Sequence, residues 1–418
     1  MEIFYLSNGI KVVFEKIDYV KSVTIGVFVG TGSAFEKEKE NGISHFLEHM
    51  FFKGTSKRSA KEIAEFMDSY GGQLNAFTAK EYTCFYAKIL NNHAEKAFDI
   101  LSDMLINSTF TAENIELERK VITEEILIGE DTPEDLIFDM IAEETWRDSS
   151  LGRPIAGTCK SVSLIKQNDI LNYYADNYKS DNIVISVVGN YDLNLLKDML
   201  EKYFSSGFKG KAKKHLDLPV VDVKKGILLK NKDIEQCQIC ISFEGLNRTD
   251  PLLYDLLAVN SVFGGSMSSR LFQKIREENG LAYAVYSYLN SYKKQGSFII
   301  YAGMNALNLE KVIKLINEEI VNLKKYKLKS TEIQFATEQL RSNIIMGLES
   351  MSQRMSSYGK SLLVDGQVEC TEDIMNKISE ISEEKIAESI EKVFDINKLN
   401  IAILGNVNEK KYDEYFSF

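Results

Sequence analysis

The sequence predicts an α+β fold made of two duplicated halves, each a mixed sheet covered by helices. Two repeats at nearly one spacing carry this. Asn182-Ile-Val-Ile-Ser-Val-Val-Gly-Asn190, with a helix ending in Lys202-Tyr-Phe204, returns as Asn400-Ile-Ala-Ile-Leu-Gly-Asn406, with a helix ending in Glu414-Tyr-Phe416. Val23–Gly30 returns as Cys237–Gly245. Gly189 and Gly405 lie 216 positions apart, and Gly30 and Gly245 lie 215 apart. Two independent matches at almost the same offset mark an internal duplication. The third observation is the polar, basic stretch Ser205–Lys214 followed by Pro219, which reads as an exposed linker. The expected domains are 1–210, a basic linker at 211–225, and 226–418.

The elements follow in order. Ile3–Leu6 is strand-like, and Ile10–Glu15 and Val23–Val29 alternate as strands. Helical periodicity covers 41–53 and 59–70, and Gly71-Gly72 closes the second. Leu74–Thr78 and Tyr82–Leu90 form a hairpin around Ala79-Lys80-Glu81. Helical patterns then cover 92–106, 111–129 and 133–146. Trp146, the only tryptophan, ends the last of these as a packing residue. The helices are expected on one face of each sheet.

Bulk composition narrows the function. Apolar residues make up 44% of 418 and charged residues 27%, as in a globular protein with real cores. The net charge of −11 makes nucleic acid and anionic membrane poor partners and cationic peptides better ones. A strand-like segment starts almost at Met1, with no charged and apolar leader pattern before it, and no apolar run reaches membrane-spanning length. Five cysteines, an odd and sparse count, fit a reducing cytoplasm. Cys237-Gln-Ile-Cys240 lies on a strand, where residues three apart point to opposite faces, so it reads as two buried thiols rather than a metal or redox pair.

The chemistry concentrates in His45-Phe-Leu-Glu-His49. The chain has four histidines, and two of them stand here with Glu48 between. Chance matches to this HxxEH pattern number on the order of 0.004 per chain of this composition. On a helix, Ile43, Phe46, Leu47 and Met50 form an apolar stripe, and His45, Glu48 and His49 gather on the other side. Two imidazoles can grip one zinc, and a carboxylate beside them can take a proton from its water. The second half has no histidine, and the positions matching His45 and His49 are Asn260 and Gly264.

Catalytic zinc needs a third protein ligand. His93 and His215 are weak candidates. The helix carrying Glu113, Glu116, Glu118, Glu124, Glu125 and Glu130 is better supplied, and spacing alone does not choose among them. Glu118 and Glu125 share a face, with Val121 and Ile122 between them, which points to a buried side.

His45-Phe-Leu-Glu-His-Met-Phe-Phe-Lys-Gly-Thr55 resembles the inverted-motif zinc peptidases of the pitrilysin, insulin-degrading enzyme and mitochondrial processing peptidase family. It is most similar to the catalytic β subunit of the processing peptidase and its short bacterial relatives. The likeness continues through Gly71-Gly72, Asn75-Ala-Phe-Thr78, Glu118-Arg-Lys-Val-Ile-Thr-Glu-Glu125 and Leu151-Gly-Arg-Pro154, and covers essentially the whole chain. The resemblance implies a zinc metalloendopeptidase of extended peptides with one Zn2+ per chain. It implies Glu125 as third ligand, Glu118 as the carboxylate that steadies the site, and Glu48 as general base. It also implies Asn75 and Ala76 as a strand that pairs with substrate.

In Arg276-Glu-Glu-Asn-Gly-Leu-Ala-Tyr283, the resemblance implies that Arg276 and Tyr283 hold the substrate carbonyl and its oxyanion. Asp135 and Asp139 match acids that hold an arginine before the scissile bond. Gly264-Gly265 resembles a much shortened glycine-rich loop of the processing peptidase α subunit. The chain is half the length of family members that close as a clam, yet it carries both motifs. A homodimer with composite sites is therefore expected. The rival readings are a non-catalytic scaffold subunit and the catalytic subunit of an obligate heterodimer.

Overall fold

The structure is a computed structural model and describes residues 1–212, 218, 220–407 and 410–418. His215 and Pro219 lie outside the described residues, as do Lys213 and Lys214 at the end of the basic stretch.

The first sheet contains β1 (Glu2–Tyr5), β2 (Lys11–Lys16), β3 (Ser22–Val29), β4 (Gln73–Thr78), β5 (Thr83–Leu90) and β6 (Ile183–Gly189), in the order β1-β2-β6-β3-β5-β4. The second contains β7 (Gly226–Asn231), β8 (Gln236–Gly245), β9 (Ala282–Ser291), β10 (Gly296–Asn305) and β11 (Asn400–Gly405), in the order β7-β11-β8-β10-β9. The two orders are the same once β1 is set aside. In each, one parallel pair, β2 with β6 and β7 with β11, joins an otherwise antiparallel sheet. The repeated glycines end equivalent strands, with φ of +142° at Gly189 and +148° at Gly405. Side chains rarely adopt such angles. A Cβ at Gly189 would also collide with the Ser22 carbonyl, and one at Gly405 would press on Cys237 Cα.

Helices cover both faces of each sheet, not one as expected. Val23, Ile25, Val27 and Val29 of β3 face a core shared with the helices Ile43–Met50 and Ala94–Asn107. Phe28, with Val13, Cys84 and Val184, faces the other way, onto Met355, Tyr358 and Leu362 of the helix Met351–Val364. In the second sheet the helix Pro133–Thr145 plays this part, setting Ile137, Met140 and Ile141 against Cys240, Ile299 and Tyr301.

The compact units are accordingly not the linear halves. One comprises Met1–Ile128, Arg153–Leu218 and Met346–Glu369; the other comprises Gly129–Gly152, Pro219–Ile345 and Cys370–Phe418. A sheet with two apolar faces needs two helical layers, and each half supplies one helix to the other's sheet.

Cys237 and Cys240 are buried on opposite faces of β8, and both are free thiols. Burial pushes the Cys237 thiol up to about 12. The helix expected before Phe416 is a short 3-10 turn, Tyr412–Tyr415, among the described residues. Among the described residues, no helix is long and apolar enough to cross a membrane.

Candidate metal centre

The helix Ile43–Met50 carries the histidines, and its start is strongly fixed. Gly42 precedes it with φ +95°, and a Cβ there would meet the Ala156 carbonyl at 2.6 Å. The buried Glu36 carboxylate accepts the Gly42 and Ser44 N–H groups, each at 2.8 Å, and Asn41 Nδ2 at 3.1 Å. A carboxylate on a helix N-terminus satisfies open donors and opposes the helix dipole. Ile43, Phe46, Leu47 and Met50 are fully buried, each worth ~1.5–3 kcal/mol against exposure. This pinning turns His45, Glu48 and His49 away from that core.

The long helix Ala112–Asp131 brings in the carboxylates. Of its glutamates only Glu118 is buried, on a stripe with Ile115, Ile122 and Ile126. Val121, expected on that side, is 51% exposed, because it lies about 100° round the helix from the buried Ile122. Glu118 Oε1 accepts from His49 Nδ1 at 2.8 Å, and its Oε2 meets Lys53 Nζ at 2.6 Å. In the neutral ring, donation from Nδ1 leaves the His49 Nε2 lone pair free to bind. Glu125 sits seven residues, about two turns, beyond Glu118 on the same helix and reaches both rings: Oε1 lies 3.6 Å from His45 Nε2, and Oε2 lies 3.5 Å from His49 Nε2.

His45, His49 and Glu125 form the one group of three metal-type donors found among the described residues, with donor atoms within 4.8 Å of one another. The 3.5 and 3.6 Å separations suit a cation better than direct hydrogen bonds. Tetrahedral ligands at zinc bond lengths of about 2.0–2.1 Å stand about 3.4 Å apart. The donor set therefore fits zinc.

The electrostatics of His45 agree with that use. Burial, helped by the neighbouring His49, lowers the His45 pKa to about 4, so its imidazole is neutral at pH 7. Burial also opposes a charge on His49, but the bond to Glu118 and the charges of Glu125 and Glu48 outweigh it and raise its pKa. Burial raises the Glu48 pKa, against the lowering effect of a hydrogen bond from Thr78. Burial of Glu118 is outweighed by His49 and Lys53, which hold its carboxyl below the usual range.

Asn75 and Ala76 lie on β4, the edge strand beside the metal helix. Ala79 N–H donates to the Tyr82 carbonyl, and the register then makes odd-numbered residues of β4 the ones bonded to β5. Leu74, Ala76 and Thr78 turn their backbone groups to the open edge. The Ala76 N–H is held at 2.8 Å by the Asn75 side chain itself.

Other expected residues fall elsewhere. His93 closes a 3-10 turn, with its ring against Tyr70, and is not in the donor group. Arg276 and Tyr283 come together in the second unit, with the guanidinium 5.1 Å from the Tyr283 ring and 4.8 Å from Phe272. Tyr283 is 76% exposed. Asp135 and Asp139 are exposed on the helix Pro133–Thr145, also in the second unit. Gly264-Gly265 opens a short turn, residues 264–269. Gly264 caps the helix Leu253–Phe263, and its carbonyl accepts Ser287 N–H at 3.0 Å, while Ser287 Oγ donates to Asn260 Oδ1 at 2.7 Å. Strand β9 thus closes the position that matches the metal face.

Sequence reading missed Glu36, Lys53 and Thr78. Lys53 stood four residues after His49 and was legible as a helix neighbour. Thr78 and Glu36 required tertiary structure.

The family profile described as Insulinase (Peptidase family M16) matches residues 11–159, and the one described as Peptidase M16 inactive domain matches residues 165–340. An uncharacterized zinc protease, YmxG, of Bacillus subtilis is 44% identical over 380 residues, covering 91% of this chain and 92% of that protein. An uncharacterized zinc protease of Rickettsia felis is 38% identical over 392 residues, covering 93% and 94%. Among solved structures, a protease from Helicobacter pylori has a TM-score of 0.90 at 19% identity, covering 96% of this chain and 98% of that one. A chain of Complex III2 from Candida albicans has a TM-score of 0.84 at 18% identity, covering 99% of each. These structural likenesses speak for the fold.

Proposed function

Because the chain belongs to the M16 (insulinase) family of peptidases and is a metallopeptidase by that membership, we propose that it is a zinc endopeptidase of extended peptides. The observation that carries the reading is the convergence of His45, His49 and Glu125 at zinc-like spacing, with Glu48 on the same helix face. In this reading these three hold one zinc per chain.

Zinc held there would polarise the scissile carbonyl and bring the pKa of an attacking water toward neutrality. Glu48, made more basic by burial, takes that water's proton and returns it to the leaving amine. Glu118 keeps His49 in its binding tautomer. The substrate adds as a strand to β4 along Leu74–Thr78, where Asn75 releases the Ala76 N–H to it. Arg276 and Tyr283 donate to the substrate carbonyl as it gains negative charge. We assign that pair to a second copy of the chain in a homodimer. In support, the metal donors and the Arg–Tyr pair belong to different units, and neither unit carries both. The five free cysteines support a cytoplasmic setting.

The fold occurs also in Complex III2, but the full donor set here favours a peptidase over a scaffold. Cleavage mapping on a library of unstructured peptides tests this. Chain holding one zinc should cut the peptides, lose activity to a chelator and recover it on adding zinc. A zinc-loaded chain that cuts nothing would leave the scaffold reading standing.

Asp135 and Asp139, one turn apart and exposed, are proposed to select arginine near the cleavage site. Asp135→Asn should reduce the preference for Arg over Ala at that position by about fivefold, an exposed charge pair being worth ~1 kcal/mol. An unchanged preference sinks the assignment.

A further inference from the structure

We infer that Thr78 is a positioning residue, which aims the Glu48 carboxylate from the strand that receives the substrate. The inference rests on the reading of Glu48 as general base. Thr78 Oγ donates to Glu48 Oε2 at 2.5 Å. It is the one hydrogen-bond donor to that carboxylate among the described residues. Glu48 is a long, flexible side chain in a half-buried place, and its helix fixes only its Cα and Cβ. Its direction must come from a partner.

Thr78 suits the task. Its branched side chain has restricted rotation about χ1, so the hydroxyl is held by the backbone. That backbone belongs to β4, which is laddered to β5 from Gln73 to Thr78. Thr78 also lies on the open side of the edge, in line with Ala76 and Leu74. One short strand therefore offers its backbone to substrate and its last hydroxyl to the carboxylate. A shift of the strand moves both together, which keeps the proton acceptor registered to the bond being cut.

Two variants and two readouts test this. Thr78→Val keeps the branched shape and removes the donor; Thr78→Ser keeps the donor. With zinc at one per chain in all three proteins, the valine variant should lose about 10- to 100-fold in kcat with KM within about twofold, the cost of a misplaced proton acceptor. The serine variant should recover to within about threefold of the parent.

The second readout does not depend on activity. Crystal structures of the zinc-loaded variants should show the Glu48 carboxylate displaced in Thr78→Val and in place in Thr78→Ser. Parental kcat in the valine variant, loss of its zinc, an undisplaced Glu48, or failure of serine to recover would each overturn the inference. A zinc-loaded parent that cuts no peptide would instead sink the peptidase reading, and the carboxylate position would still decide the role of Thr78.

Discussion

Glu48→Gln should keep one zinc per chain and lose about a thousandfold or more in kcat. The amide has the shape of the carboxylate, and its oxygen can still accept from Thr78, so the helix and its neighbours need not move. The proposed metal donors are on His45, His49 and Glu125, and none of them is altered. What disappears is the ability to bind a proton. The carboxylate is well suited to that step, because burial raises its pKa toward the working range. The KM for a library-selected peptide should change by less than about threefold, since the proposed substrate strand pairs with β4 rather than with Glu48. Zinc analysis alongside steady-state kinetics measures both quantities. A variant that keeps a tenth of the parental rate would show that another group accepts the proton. A variant that loses zinc would make Glu48 part of the metal set. Glu125→Gln is the contrasting case: it removes a charged donor 3.5–3.6 Å from both imidazoles, and should lose zinc and activity together.

The parts of this site legible in the sequence are those that local periodicity encodes. The stripe of Ile43, Phe46, Leu47 and Met50 fixed which way His45 and His49 face, and all four residues are buried as that stripe demands. The duplication was legible because Gly189 and Gly405 answer the same backbone need at the same place in two sheets. What was not legible depends on partners distant in the chain. Helical periodicity places an apolar stripe on 133–145 but does not say which sheet it covers; that helix, and Met351–Val364, each serve the sheet of the other half. For the same reason the glutamates of Ala112–Asp131 could not be ranked by spacing. Glu118 is buried by contact with His49 and Lys53, whereas Glu125 stays half-exposed and is distinguished only by what it faces. The Thr78–Glu48 bond joins a strand end to a helix 30 residues earlier, and no periodic pattern reports such a meeting.

Co-refolding Glu48→Gln with Arg276→Ala should regain activity that neither variant has alone. The argument begins from the distribution of groups. The first unit holds the metal donors and Glu48, and the second holds Arg276 stacked on Tyr283. Tyr283 is 76% exposed and Arg276 is paired only weakly, with Glu277 at 3.8 Å, so the pair is available to donate outward. Losing donors of this kind costs about 10²- to 10³-fold in kcat, which makes Arg276→Ala nearly inactive on its own.

If each site draws its metal half from one copy and its Arg–Tyr pair from the other, a mixed dimer has one doubly damaged site and one intact site. Random pairing makes half of all dimers mixed, so about a quarter of parental activity should return, at parental KM. Differently tagged chains, purified through both tags, would raise this to about half per dimer. If the two units of a single chain instead formed the site, every site in the mixture would keep its own defect. Activity would then stay at the level of the separate variants, even in verified mixed dimers. The result thus distinguishes the two arrangements by a signal that appears rather than one that fades, and misfolding of either variant cannot imitate it.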